Sequence, residues 1–217
     1  MVVWAHPTTG VVSRCAPSLS LTFFQKVQGL LPMLERGYVV VAPDYPGLGT
    51  AGPHPYLIGE SEGRAVLDAA RAVRGLPIGA GHRFVVWGHS QGGHAALYTG
   101  LIARRYAPEL ELLGVAAAAP ATDLGTLLRD DYKTAVGKTL TTMALWSWTR
   151  VFNAPIESVV SADVMPTVNQ LAEQCIETPL ENLAVAMIEL PLQRRFLTVP
   201  DITKVEPWRG IMLRNTP

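Results

Sequence analysis

Residues 84–93 read Phe84-Val85-Val86-Trp87-Gly88-His89-Ser90-Gln91-Gly92-Gly93, an apolar run that enters G-x-S-x-G and decides the fold. A serine placed between a strand and a helix in this pattern sits on a turn so tight that its flanking neighbours must be small, which is the role of Gly88 and Gly92. His89 completes the elbow, and Ser90 is the expected nucleophile. The flanks agree: Arg83 to Trp87 is β-rich, and Gly93 to Tyr106 reads as a helix. The motif therefore appears in the strand-turn-helix context that its chemistry needs.

Outward from the elbow, strands and helices alternate. Val2 to Ala5 reads as a strand, followed by a loop from His6 to Gly10. Leu19 to Arg36 carries helical periodicity and closes on Gly37, a helix-ending residue. Tyr38 to Ala42 is an apolar strand stopped by Pro43. The Gly- and Pro-rich segment from Asp44 to Gly59 is a loop of the kind that carries function in α/β proteins. Ser61 is the expected cap of a helix through Arg74, with Val66, Ala69, Ala70 and Val73 on one face. Leu112 to Ala119 is a further apolar strand. Near-continuous apolar strands separated by helices imply a parallel sheet buried on both faces, so the fold class is α/β.

After Thr122 the alternation stops. Asp123 to Glu206 reads as mostly helical, clearest over Lys133–Phe152, Asp163–Cys175 and Pro179–Leu190. The expected organisation is a core over residues 1–122, a helical cap over 123–206 and a return segment over 207–217.

The 217 residues carry 18 Lys plus Arg against 18 Asp plus Glu, so no charge field argues for nucleic acid or an anionic membrane. No apolar run approaches the roughly 18 residues of a membrane span, and the first residues are too short for a signal-peptide core. No His, Asp and Cys cluster has metal-ligand spacing, and no cofactor is expected. Cys15 and Cys175 read equally as two buried thiols or as a disulfide.

Several blocks together resemble the secretory lipases, a group of the α/β-hydrolase fold. They are Trp4-Ala5-His6 with Thr8-Thr9-Gly10, Cys15-Ala16-Pro17-Ser18, the stretch Gly37 to Gly49, His54-Pro55-Tyr56, the elbow, and Tyr106 to Leu110. The resemblance implies hydrolysis of carboxylic esters or lipids as small-molecule substrates, secretion, and an incomplete hydrolase core beneath an acyl-binding cap. It implies Ser90 as nucleophile, with the Gln91 N–H as one oxyanion donor and a second donor from Thr8 or Thr9. Pro7 stands where the family commonly has glycine, which leaves the choice of threonine open. The resemblance also implies that Cys15 pairs with Cys175.

A hydrolase triad runs Ser, then Asp or Glu, then His along the chain. Of the five histidines only His94 follows Ser90, four residues on, within the elbow helix. His89 and His94 read as packing or hydrogen-bonding residues, His6 as structural, and His82 as a surface residue. His54 reads as a loop histidine held by backbone, yet it is the first suspect should an unexpected base exist. Asp123 is a candidate acid whose simpler reading is the N-terminal charge of a cap helix; Asp44 organises a turn.

The expectation is thus an internal piece of a longer lipase, lacking the triad acid and histidine and unable to turn over esters at an enzyme's rate. A truncated, inactive hydrolase that at most binds apolar ligands is the alternative, and an acyltransferase or peptidase on the same scaffold is a further one. One or more of Met143, Trp146, Trp148 and Phe152 are expected to line an apolar pocket above Ser90.

Overall fold

The computed structural model describes residues 1–193 and 195–217. Four parallel strands form one sheet in the order β2-β1-β3-β4, with β1 at Val2–Ala5, β2 at Val40–Val41, β3 at Arg83–His89 and β4 at Glu111–Ala118. Register pairs Val2 with Val85 and Ala5 with Gly88, so β1 and the elbow strand end together. Loops leaving the two C-terminal ends therefore meet, which is where open α/β sheets bind ligands.

Between β1 and β2 the chain makes two short helices, α1 (Phe23–Lys26) and α2 (Leu30–Glu35), instead of one from Leu19 to Arg36. Gly29 at φ 78° breaks the run, and Leu21, Phe24 and Leu31 stay exposed, so the apolar periodicity finds no surface to bury against. Only Val40 and Val41 of the expected strand at Tyr38–Ala42 pair as β2.

Helix α3 spans Gly59–Arg74 and α4 spans Gln91–Tyr106. The former begins two residues before Ser61: Ile58 is its N-cap residue, and the Gly59 N–H donates to the Asn215 Oδ1, 156 residues away, at 3.1 Å. A Cβ on Gly59 would lie 2.0 Å from the Tyr98 ring, so only glycine leaves room there for that α4 side chain. Val3, Phe84 and Val86 from the sheet pack with Val66, Leu67 and Ala70 of α3 and Ala95, Ala96 and Ile102 of α4. Strand β4 departs from the expectation of burial on both faces, because it is an edge strand with Leu113 and Val115 exposed.

The remaining helices are α5 (Leu124–Asp130), α6 (Ala135–Phe152), α7 (Met165–Ala172), α8 (Pro179–Ile188) and α9 (Trp208–Arg214). They share a second apolar cluster, which includes Leu124, Met143, Trp148, Leu171 and Trp208 and draws in Val11, Tyr56 and Leu57 from the sheet loops. Cys15 and Cys175 are bonded, with Cα atoms 5.3 Å apart, and tie the loop after β1 to the segment after α7. Beside that bond the Ile176 N–H donates to the Thr9 carbonyl at 3.0 Å, and Lys26 meets Glu177 at 3.1 Å. Among the described residues no helix is long and apolar enough to cross a membrane.

Candidate active site

Ser90 has φ 56° and ψ −119°, a backbone conformation that costs a non-glycine residue about 1–3 kcal/mol and persists only where the surroundings impose it. They do so sterically. A Cβ on Gly88 would lie 2.1 Å from the Gly92 carbonyl oxygen, and one on Gly92 would lie 1.9 Å from the Ala5 carbonyl oxygen. The two glycines let the start of α4 press against the ends of β1 and β3. The Ser90 N–H donates to the Ala118 carbonyl at 3.0 Å, which fixes the turn to β4 as well.

The turn opens on a cavity of about 190 Å³ whose walls include Ser90, Gln91, Tyr56, Leu57, Ala119, Pro120, Leu124, Leu127, Leu128, Leu140 and Thr141. Leu57 at φ 55° and Ala119 at φ 41° join Ser90 in the left-handed region, so three of the four non-glycine residues of positive φ among the described residues border one cavity. Such clustering of backbone strain is a feature of functional sites. The expected aromatic lining does not hold. Met143 and Trp148 are buried in the cap cluster, Phe152 lies at the surface, and none of the four borders the cavity. Helix α6 meets the cavity one to two turns earlier, through Gly137, Leu140 and Thr141, a spacing that puts the three on one face. Trp148 instead braces the wall from behind, its Nε1 donating to the Tyr56 carbonyl at 2.8 Å.

Gln91 opens α4, and its N–H has no protein acceptor among the described residues, as expected of a first helical turn directed at an anion. Thr8 and Thr9 follow β1. The Thr8 hydroxyl lies 2.9 Å from the Tyr56 hydroxyl on the cavity wall. Thr9 is buried, its carbonyl taken by Ile176.

The histidines fall in different places. His6 is fully buried; burial drives its pKa down to about 3, against a bond from Nδ1 to the Pro7 carbonyl at 2.7 Å that raises it and a neighbouring His54 that lowers it further. His54 is buried too, which lowers its pKa, with Nδ1 2.9 Å from the Pro46 carbonyl and Nε2 3.1 Å from the Gln91 side-chain Nε2. His94 is buried against Glu62, while His82 and His89 are exposed. No histidine is hydrogen-bonded to the Ser90 hydroxyl among the described residues. Asp123 caps α5, accepting from the Thr126 N–H at 2.9 Å and its hydroxyl at 2.8 Å, contacts that hold its carboxyl below the usual range. Asp44 accepts from both the N–H and the hydroxyl of Ser18 and organises that turn. Sequence reasoning missed Glu62, a fully buried carboxylate beneath the elbow. No group of three or more His, Cys, Asp or Glu side chains among the described residues could hold a metal ion.

Lipase 4 of Candida albicans is 33% identical over 147 residues, covering 57% of this chain and 31% of the relative. A Mycobacterium tuberculosis relative named "Probable inactive lipase MT1628" is 33% identical over 135 residues, covering 54% and 28%. The chain thus spans under a third of the length of these relatives. Among solved structures, Candida antarctica lipase A superposes with a TM-score of 0.70 at 20% identity, over 99% of this chain and 52% of that one. The rice cell wall degrading esterase LipA of Xanthomonas oryzae superposes with a TM-score of 0.72 at 24% identity, over 99% and 62%. These likenesses establish the α/β-hydrolase fold. The secretory lipase family matches over residues 17–207, and the chain belongs to that family.

Proposed function

We propose that this chain is the nucleophile-bearing part of a secreted carboxylic ester hydrolase, with a hydrolase core over residues 1–122, a helical cap over 123–206 and a return segment over 207–217. The observation that carries the reading is Ser90, held at φ 56° on the elbow at the mouth of a largely apolar cavity. In this reading the Ser90 hydroxyl attacks the ester carbonyl, the alcohol leaves with a proton, and water releases the acyl group. The Gln91 N–H and a donor from the Thr8–Thr9 loop receive the oxyanion. Thr8 is favoured because its hydroxyl contacts Tyr56 on the cavity wall, whereas the Thr9 carbonyl is held by the Ile176 N–H. A cavity of about 190 Å³ compares with the roughly 150 Å³ that accepts benzene, so it suits an acyl segment of about six carbons.

None of the five histidines is hydrogen-bonded to the Ser90 hydroxyl, which supports a second reading: residues 1–217 alone bind apolar ligands without efficient turnover. Loss of one triad member costs on the order of 10⁴ to 10⁶ in kcat. The test is hydrolysis of p-nitrophenyl esters of graded acyl length by residues 1–217 and by Ser90→Ala. Slow, Ser90-dependent release supports the hydrolase reading with no base supplied by this chain; Ser90-independent release defeats it.

A further inference from the structure

Beneath the elbow, groups from α3, α4, the His54 loop and the segment after α9 are joined by hydrogen bonds. Glu62 is fully buried, and its Oε1 accepts from the Leu57 N–H at 3.0 Å and the Gln91 Nε2 at 2.7 Å. Its Oε2 lies 2.6 Å from the His94 Nδ1, and the His94 Nε2 lies 2.8 Å from the Asn215 carbonyl. A carbonyl only accepts, so Nε2 carries a hydrogen, and the short contact to Oε2 requires another proton between Glu62 and His94. Three donors thus converge on one carboxyl group. One proton is therefore held between the two side chains. Burial alone would lower the His94 pKa; the charge of Glu62, its hydrogen bond and the Asn215 carbonyl together raise it.

Chemistry also orients Gln91. One Nε2 hydrogen goes to Glu62 and the other to the His54 Nε2 at 3.1 Å, which is then the unprotonated nitrogen of that ring. Were the amide turned over, its oxygen would face the carboxylate. A buried ion pair is no better than apolar packing at holding two helices together. What Glu62 adds is a directed acceptor for two residues of the cavity wall, Leu57 at φ 55° and Gln91 beside the nucleophile.

We propose that Glu62 is a positioning residue: by clamping the Gln91 side chain it aims the first N–H of α4 at the oxyanion formed on Ser90. This rests on Ser90 being the nucleophile. The test uses residues 1–217 labelled with ¹⁵N, the variants Glu62→Gln, Glu62→Leu and Gln91→Met, and a fluorophosphonate, whose phosphorus bonds to the serine oxygen as fluoride leaves with the serine proton. In Glu62→Gln the amide oxygen keeps both acceptor bonds and the amide N–H donates to a neutral His94. At pH 7 the spectra should show both His94 ring nitrogens protonated in the parent chain and Nε2 alone in Glu62→Gln. Labelling at Ser90 should stay within threefold of the parent in Glu62→Gln and fall tenfold or more in Glu62→Leu and Gln91→Met. A neutral His94 in the parent chain overturns the proposal. Parental labelling by a folded Glu62→Leu, or by Gln91→Met where Glu62→Leu does not fold, overturns it equally. Should the parent chain take no label, it is the nucleophile reading that fails. Exchange of the Gln91 amide then decides: a tenfold acceleration in either clamp variant upholds the positioning, and an unchanged rate overturns it.

Discussion

Replacing Gly92 by alanine should damage the site more than the fold. The added Cβ would sit 1.9 Å from the Ala5 carbonyl oxygen, 2.6 Å from its carbon and 2.9 Å from the His6 carbonyl oxygen. All three obstacles are backbone at the end of β1, so no side-chain rotation relieves them. Real Cβ contacts are not found below about 3.0 Å, so the start of α4 must move away from β1 by about 1.1 Å. That movement separates Gln91, on α4, from Thr8 and Thr9, on the loop leaving β1, and so widens the gap between the two oxyanion donors. A misplacement of this size costs on the order of 10² in rate. Overpacking costs about 1–3 kcal/mol, or roughly 2–12 °C in Tm for a chain of this size. The assay is the second-order rate of fluorophosphonate labelling at Ser90, read by mass spectrometry beside thermal unfolding followed by circular dichroism. Gly81→Ala is the control, since a Cβ there meets nothing within 4 Å. If folded Gly92→Ala labels at the parental rate, the elbow does not set the geometry of the site and the reasoning fails.

Removing the disulfide, as Cys15→Ser with Cys175→Ser, frees a loop closed over 160 residues, for which chain entropy gives about 5 kcal/mol, so Tm should fall by roughly 10–20 °C. A fall under 3 °C in differential scanning calorimetry would count against this. Stability should drop on acidification between pH 6.5 and about 3, because His6 has a depressed folded pKa near 3 and the unfolded chain binds the proton more readily. Urea titrations should show a limiting slope of about 1.4 kcal/mol per pH unit from this group, absent in His6→Asn. His94 has the opposite sign, its raised pKa giving stability that is full below pH 6.5 and lost as pH rises through the folded value; Glu62→Gln should abolish that loss. Leu140→Trp fills the cavity from α6 and should shift ester preference toward acetyl over longer chains by about tenfold, read from relative kcat/KM on p-nitrophenyl esters; an unchanged preference would remove Leu140 from the acyl wall.

The elbow was legible because its requirement is local: two glycines around a serine, an apolar strand before and a helix after. The parallel sheet followed from apolar runs alternating with helices, and the pairing of Cys15 with Cys175 from resemblance. What escaped depends on contacts between distant residues. Glu62 looks in sequence like an ordinary first-turn acid of α3, and only the fold brings it to His94 and Gln91. Likewise Asn215 replaces the expected cap Ser61 at the start of α3, across 156 residues. The aromatic residues of α6 carried the apolar signal expected of an acyl wall, yet Trp146 and Trp148 serve the cap's own core, Phe152 lies at the surface, and leucines contribute much of the wall. The periodicity of residues 19–36 misled because amphipathic spacing makes a helix only where another surface covers it.

The most direct test of the account is peptide mapping after exposure of residues 1–217 to a fluorophosphonate. A single adduct on Ser90, lost in Ser90→Ala and slowed about a hundredfold in Gly92→Ala, is the predicted result. An adduct on another serine, or an unlabelled Ser90 in a folded chain, would contradict it.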